Sequence, residues 1–193
     1  MVLYNPIKDD FNQLIGVYSV SNRDNKTKLL VTTALLTALV LVCTLLLKIP
    51  VGPDCYVHLG DAVILLAVIL LPRPYACFAG SVGATLADLM GGFAFWAPWT
   101  FIVKLIFVLV FGFFLDRARK HPDAQPSVAG LNRAEFIGLI VSGIVAVIGY
   151  FICEYILFGA WLPAATCIPF NCIQVSLGAV IAELLAKRIH LNL

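Results

Sequence analysis

The chain has 193 residues, of which 61% are hydrophobic and 12% charged, with a formal net charge of +2. Soluble domains run near ~45–50% apolar and ~25% charged, so this composition belongs in a bilayer. The small net charge forms no basic cluster, which excludes nucleic acid as a partner.

The first 27 residues carry Asp9, Asp10 and scattered polar groups, without an apolar stretch or a small-residue cleavage site. They read as a cytoplasmic arm over 1–28 and not as a cleaved signal. A span needs about 20 mostly apolar residues. Six segments answer to that description, near 29–48, 59–71, 74–92, 99–116, 135–158 and 164–186. The second is too short to stand upright across a bilayer without thinning or flanking help, and Pro72 and Pro74 stop it abruptly. The long hydrophilic connection, Asp116 to Ala134, is a linker, since neither half of the chain carries a soluble core. The expectation is all-α: a six-helix integral membrane bundle forming one domain over 29–193.

Orientation follows from Lys and Arg, which concentrate in cytoplasmic loops. Lys8, Arg23, Lys26, Lys28, Arg73, Arg117, Arg119, Lys120, Arg133, Lys187 and Arg188 all fall on one side when both termini are inside. Lys48 alone lies opposite. Trp96, Trp99 and Trp161 then reach the outer interface, where an aromatic belt belongs.

Four charged residues interrupt the apolar stretches: Asp61, Asp88, Lys104 and Glu154. An ionisable group inside a membrane costs several kcal/mol or more unless paired, which makes each a functional candidate. The topology brings them to one level near the outer face. Asp88 lies about one turn inside the end of the third span at roughly 1.5 Å per residue, and Asn171 and Gln174 share a face of the sixth at i and i+3. Gly80, Ala84, Ala87, Asp88 and Gly91 form one small-residue stripe, which turns Asp88 into the bundle. Tyr150 shares a face with Glu154. Amides and an aromatic beside acids resemble the lining of a small polar-ligand pocket.

Other readings stay open for these residues. Asp88 and Lys104 would also serve as an ion pair fixing helix register, and Asp61 as a complement to a helix N-terminus. Glu183 reads as a surface partner of Lys187 and Arg188. If all ionise, Asp61, Asp88 and Glu154 against Lys104 leave an acidic excess of two, favouring a neutral or cationic ligand over a polyanion. Cys43, Cys77, Cys153 and Cys172 read as packing residues; Cys55 and Cys167 lie near outer loops and could approach each other, although burial is the ordinary state of cysteine.

No phosphate loop exists, since Gly80-Ser81-Val82-Gly83 lacks the Lys that would reach a nucleotide. There is no His-Glu-x-x-His, no Gly-x-Ser-x-Gly and no Cys/His ligand spacing. No catalytic residue, metal or cofactor is expected, and the chain is not expected to hydrolyse ATP by itself.

The segment His58 to Lys104 contains His-Leu-Gly-Asp, Ala-Gly-x-x-Gly-x-x-x-Ala-Asp-Leu and Ala-Pro-x-Thr-x-x-x-Lys. These elements resemble the substrate-binding S components of energy-coupling factor (ECF) vitamin transporters, in the riboflavin-type branch that includes proteins assigned to hydroxymethylpyrimidine or vitamin B6. The resemblance implies a subunit of an ABC importer that captures a vitamin at the outer face of the bacterial plasma membrane. It implies a lid in the loop Ile49 to His58, and association with a transmembrane T component and two ATPases. Ala34 and Ala38 match the small-residue pair that docks on the T component in many members. Glu154, Asn171, Gln174, Lys104, Asp88, Tyr150, Trp96, Trp99, Tyr56, His58 and Asp61 are the candidate substrate contacts, the aromatic ones by stacking on a flat heteroaromatic ring. Pyridoxine or hydroxymethylpyrimidine suits the acidic excess best, then riboflavin. Competing readings are a membrane enzyme using the acids as acid and base, and an accessory scaffold whose charges only hold helices together.

Overall fold

The computed structural model describes residues 6–51, 56–120 and 132–190, with side chains described for 25–49, 51, 56–120 and 132–188. In chain order these form α1 (Pro6–Leu46), β1 (Lys48–Pro50), β2 (Tyr56–His58), α2 (Gly60–Leu70), α3 (Arg73–Met90), α4 (Ala97–Arg119), α5 (Arg133–Phe158) and α6 (Trp161–His190). Four helical stretches are long and apolar enough to cross a membrane: Asn25–Leu46, Ala97–Arg119, Arg133–Phe158 and Trp161–Arg188. The protein is an all-α membrane bundle. Its α1 backbone is helical from Pro6, well before the apolar pattern begins.

Helix contacts close a ring in the order α1, α3, α4, α5, α6, α2, and α2 also packs against α3 and α4. This position explains the brevity of α2. Ten of its residues, Gly60 through Ile69, are buried, so its apolar character answers to neighbouring helices and not to lipid. The outward faces of the longer helices are apolar instead, as in the exposed Ile140, Ile144, Ile148 and Ile152 row of α5.

Helix ends follow local chemistry. Extended Pro72 stops α2 and Pro74 occupies the first turn of α3, where a missing N–H costs no hydrogen bond. The Arg119 guanidinium reaches back from α4 to donate to the Ile69 carbonyl at 2.5 Å, satisfying an acceptor that α2 itself leaves open. Arg73 pairs with Asp116 beside it. Between α3 and α4, Gly92 takes φ 84°, a conformation that glycine adopts freely. α5 is capped by the Asn132 side chain, which accepts from the Ala134 N–H at 2.9 Å, and Gly159 ends it at φ 66°.

A two-stranded hairpin departs from the all-helical expectation. β1 and β2 pair antiparallel, with Lys48 opposite His58, Ile49 opposite Val57 and Pro50 opposite Tyr56. Much of the segment expected as a lid is therefore held as sheet; Gly52, Pro53 and Cys55 lie outside the described residues. Close helix approach sets the remaining geometry. A Cβ on Gly83 would stand 2.7 Å from the Thr37 carbonyl oxygen and 2.9 Å from the Val40 Cβ, so α1 and α3 meet only because that position is bare.

Candidate functional site

Hydrogen bonds link three helices and the hairpin through one buried network. Lys104 Nζ on α4 donates to Asp61 Oδ1 on α2 at 2.5 Å, and both side chains have 0% exposure. Gln174 Nε2 on α6 donates to Asp61 Oδ2 at 2.9 Å, and its Oε1 accepts from the His58 backbone N–H of β2 at 3.1 Å. Lys104 also lies 4.9 Å from the centre of the Tyr150 ring, a cation–π distance.

The suggested Asp88–Lys104 pair is thus corrected. Lys104 pairs with Asp61, because α4 packs against α2 as well as α3 and presents its ammonium to the first turn of the central helix. Asp61 does sit in that first turn, but its charge is matched by a side chain from another helix. Asp88 instead accepts from the Tyr56 hydroxyl at a long 3.4 Å, with Thr100 close enough to influence its charge.

Above the network a cavity of about 40 Å³ is lined by Tyr56, His58, Trp96, Thr100, Tyr150, Glu154, Cys167, Asn171 and Gln174. That volume holds a water or two, so a ring-sized molecule requires wall side chains to move apart. Glu154 is 6% exposed and Asp88 3%. Asn171 Nδ2 donates to Glu154 Oε1 at 3.3 Å, while Glu154 Oε2 and Asp88 Oδ2 are buried with no hydrogen-bond partner. With Asp61 matched by Lys104, these are the two carboxyls of the cluster left without a cation in contact, and each has an oxygen without a hydrogen-bond partner.

Two of the lining rings, Tyr56 and Trp96, pack on further aromatic side chains. Tyr56 packs on Phe93 at 5.6 Å between ring centres, and Lys48 Nζ lies 4.5 Å from the centre of the Phe93 ring. Trp96 meets Phe158 edge-on at 6.0 Å. Burial and the neighbouring Asp88 raise the Tyr56 phenol above its ordinary value, so it acts as a hydrogen donor. His58 is neutral: burial first, with Lys104 and Lys48 adding and Asp61 opposing, holds its imidazole down at about 4.

Among the residues singled out from sequence, Tyr56, His58, Trp96, Tyr150, Glu154, Asn171 and Gln174 line the cavity. Asp61, Lys104 and Asp88 lie outside its lining, and Trp99 packs half-buried against the hydrophobic core. Thr100 and Cys167 were missed. Thr100 is the Thr of the Ala-Pro-x-Thr-x-x-x-Lys element, one turn from both Trp96 and Lys104; Cys167 precedes Asn171 by four, placing both on one face of α6. Cys167 is disulfide-bonded, which corrects the reading of a merely buried thiol, and Cys55 lies outside the described residues. Glu183 packs near Glu135 and Lys187, far along α6 from the cavity. Among the described residues no group of three His, Cys, Asp or Glu side chains gathers to hold a metal ion.

Comparison with known proteins gives these features a family. The model of the ECF-type riboflavin transporter S component matches residues 24–191. The thiamine precursor transporter HmpT of Lactococcus lactis subsp. cremoris is 30% identical over 170 residues, covering 86% of this chain and 91% of its own. An uncharacterized protein of Pyrococcus woesei is 31% identical over 121 residues, covering 62% of this chain and 74% of its own. A solved S component of a bacterial ECF transporter superposes with a TM-score of 0.66 over 86% of this chain and 96% of that one, at 21% identity, a likeness of fold.

Proposed function

This chain belongs to the S-component family of ECF-type riboflavin transporters, and on that footing we propose that it captures hydroxymethylpyrimidine or vitamin B6 for an ECF-type ABC importer, with riboflavin a weaker fit. It is a transport component and not an enzyme. The observation that carries the substrate reading is the cavity with the unpartnered Glu154 carboxylate oxygen in its wall and the Asp88 carboxylate behind that wall, bonded to Tyr56. A polyanion would meet acidic groups there with no cation in the lining, whereas a neutral or protonated amino-heterocycle brings the donor that the Glu154 oxygen lacks. The contracted volume favours a single ring over a three-ring flavin. The relative HmpT, a thiamine precursor transporter, supports the same preference.

In this reading six spans cross the plasma membrane with both termini and the 1–28 arm inside, and the cavity opens outward. Tyr56 and His58 sit on the hairpin that must shift for a ring to enter. Ala34 and Ala38 are exposed on α1 beside the equally exposed Leu35 and Leu39, a surface suited to close packing against the T component. Two ATPases would complete the importer, lowering vitamin affinity in the inward state. Native mass spectrometry of gently purified protein tests the substrate directly: a co-purified pyrimidine or pyridine vitamin supports the reading. A phosphorylated ligand held more tightly than its dephosphorylated form overturns it.

A further inference from the structure

We propose that His58 determines specificity as a fixed hydrogen donor: its Nε2–H reads an acceptor ring nitrogen on a flat heteroaromatic ligand, while Glu154 accepts from a donor on another edge of that ring. The inference rests on the vitamin-capture reading above and specifies the edge pattern its ligand carries.

The polarity of the buried network is fixed from its charged end. A Lys ammonium only donates and an ionised carboxylate only accepts, so Lys104 and Asp61 have no choice of role. Asp61 then forces the Gln174 amide to present its Nε2, which leaves Oε1 to accept from the His58 backbone. That bond pins β2 beside the start of α2. There the Gly60 N–H donates to His58 Nδ1 at 3.1 Å. A ring nitrogen that accepts carries a lone pair, so in the neutral imidazole the proton sits on Nε2. Among the described residues no hydrogen bond from that Nε2 is present, and His58, 6% exposed as a residue, stands in the cavity wall.

The wall therefore offers a donor from β2 and an acceptor from α5. Glu154 Oε2 is buried without a partner while Oε1 is engaged by Asn171, and a carboxylate oxygen in that state selects a ligand N–H or O–H. The role of His58 cannot be exchanged while the network is intact. A single ring with an unprotonated nitrogen on one edge and an amino or hydroxyl donor on another satisfies both at once. A ring with CH in place of that nitrogen leaves the His58 N–H buried and unpaired, which weakens binding about tenfold to a hundredfold.

The test is fluorescence titration of the purified full chain in lipid nanodiscs, read through the tryptophans, of which Trp96 stands in the wall. The ligands are 4-amino-5-hydroxymethyl-2-methylpyrimidine and its two analogues with one ring nitrogen replaced by CH. One analogue is expected to bind wild type about tenfold to a hundredfold more weakly than the parent. In His58→Phe the parent should fall to that analogue's affinity, and in His58→Gln, which still carries an N–H, part of the preference should return. Equal binding of all three ligands to wild type overturns the assignment without any variant, as does a preference that survives in folded His58→Phe. A wild-type chain that binds none of the three overturns the pyrimidine reading and this assignment together, an outcome distinct from the other two.

Discussion

Replacing Lys104 by Met removes the cation from the buried network while keeping much of its volume, so the cost is electrostatic more than steric. Asp61 keeps its bond from Gln174 at 2.9 Å but loses the ammonium at 2.5 Å, and neither side chain has solvent to screen it. Breaking one partner of a buried pair costs about 3–5 kcal/mol, because an uncompensated charge remains. Asp61→Asn should cost a similar amount by stranding the ammonium. The double variant leaves no buried charge at this place and should lose only about 1–2 kcal/mol, giving a coupling of about 3 kcal/mol or more. The cation–π contact of Lys104 with Tyr150 is lost in both the single and the double variant, so it drops out of the coupling. Unfolding in mixed detergent–SDS micelles, followed by tryptophan fluorescence, measures all four corners of the cycle. A Lys104→Met protein within about 1 kcal/mol of wild type, or additive single effects, would refute the assignment of Lys104 and Asp61 as one unit.

Glu154→Gln keeps the shape of the side chain and removes its charge. Affinity for a protonatable single-ring vitamin should fall about tenfold to a hundredfold with stability unchanged or slightly raised, as calorimetric titration beside thermal unfolding would show; unchanged affinity counts against direct contact. His58 is held near 4 in the fold, against an ordinary 6.5. Its contribution to stability is therefore full above about pH 6.5 and lost as pH falls toward 4, by on the order of 3 kcal/mol. His58→Gln should flatten that part of the pH profile, and a profile identical to wild type would contradict the buried neutral imidazole. Gly60→Ala sets a Cβ 2.0 Å from Thr44 Oγ1 and 3.0 Å from His58 Nδ1. It should lower stability by about 1–3 kcal/mol, with partial recovery in Gly60→Ala/Thr44→Ala; no loss in the single variant would mean that α1 and α2 have room to separate.

Helix phase is readable only where a helix has two unlike faces. On α3 the small residues and Asp88 share one side, and Gly80, Ala84, Ala87 and Asp88 are indeed buried. On α2 every residue from Gly60 to Ile69 is buried, so its sequence carries no contrast from which to read the direction of Asp61. That is why its pairing with Lys104 was not legible and Lys104 was set against Asp88 instead. α4 shows a finer failure. Trp96, Thr100 and Lys104 follow each other at four-residue spacing and are all buried, whereas Trp99 is turned about 100° away per residue of helix. Judging the tryptophans by interfacial depth alone took Trp99 into the site and passed over Thr100. The hairpin was out of reach for another reason: three-residue strands, one ending in Pro50, are too short for alternation to declare itself.

The distribution of charge explains why the fold tolerates four ionisable residues in its apolar interior. Asp61 and Lys104 neutralise each other and, through Gln174, hold the hairpin against the helices. Asp88 and Glu154 each keep an oxygen without a partner, and such groups cost stability that packing elsewhere must offset. A ligand that supplies a donor to Glu154, which stands in the cavity wall, relieves its share of this cost on binding, so part of the affinity comes from ending a strain already present in the protein. Stabilisation by ligand then follows mass action, about 2.7 kcal/mol at a hundredfold excess over Kd. In the importer reading the partner subunits must reverse the same free energy to release the vitamin. Separating the paired charges from the unpaired ones permits it: the hairpin and cavity wall can open while the Asp61–Lys104 unit keeps the bundle intact.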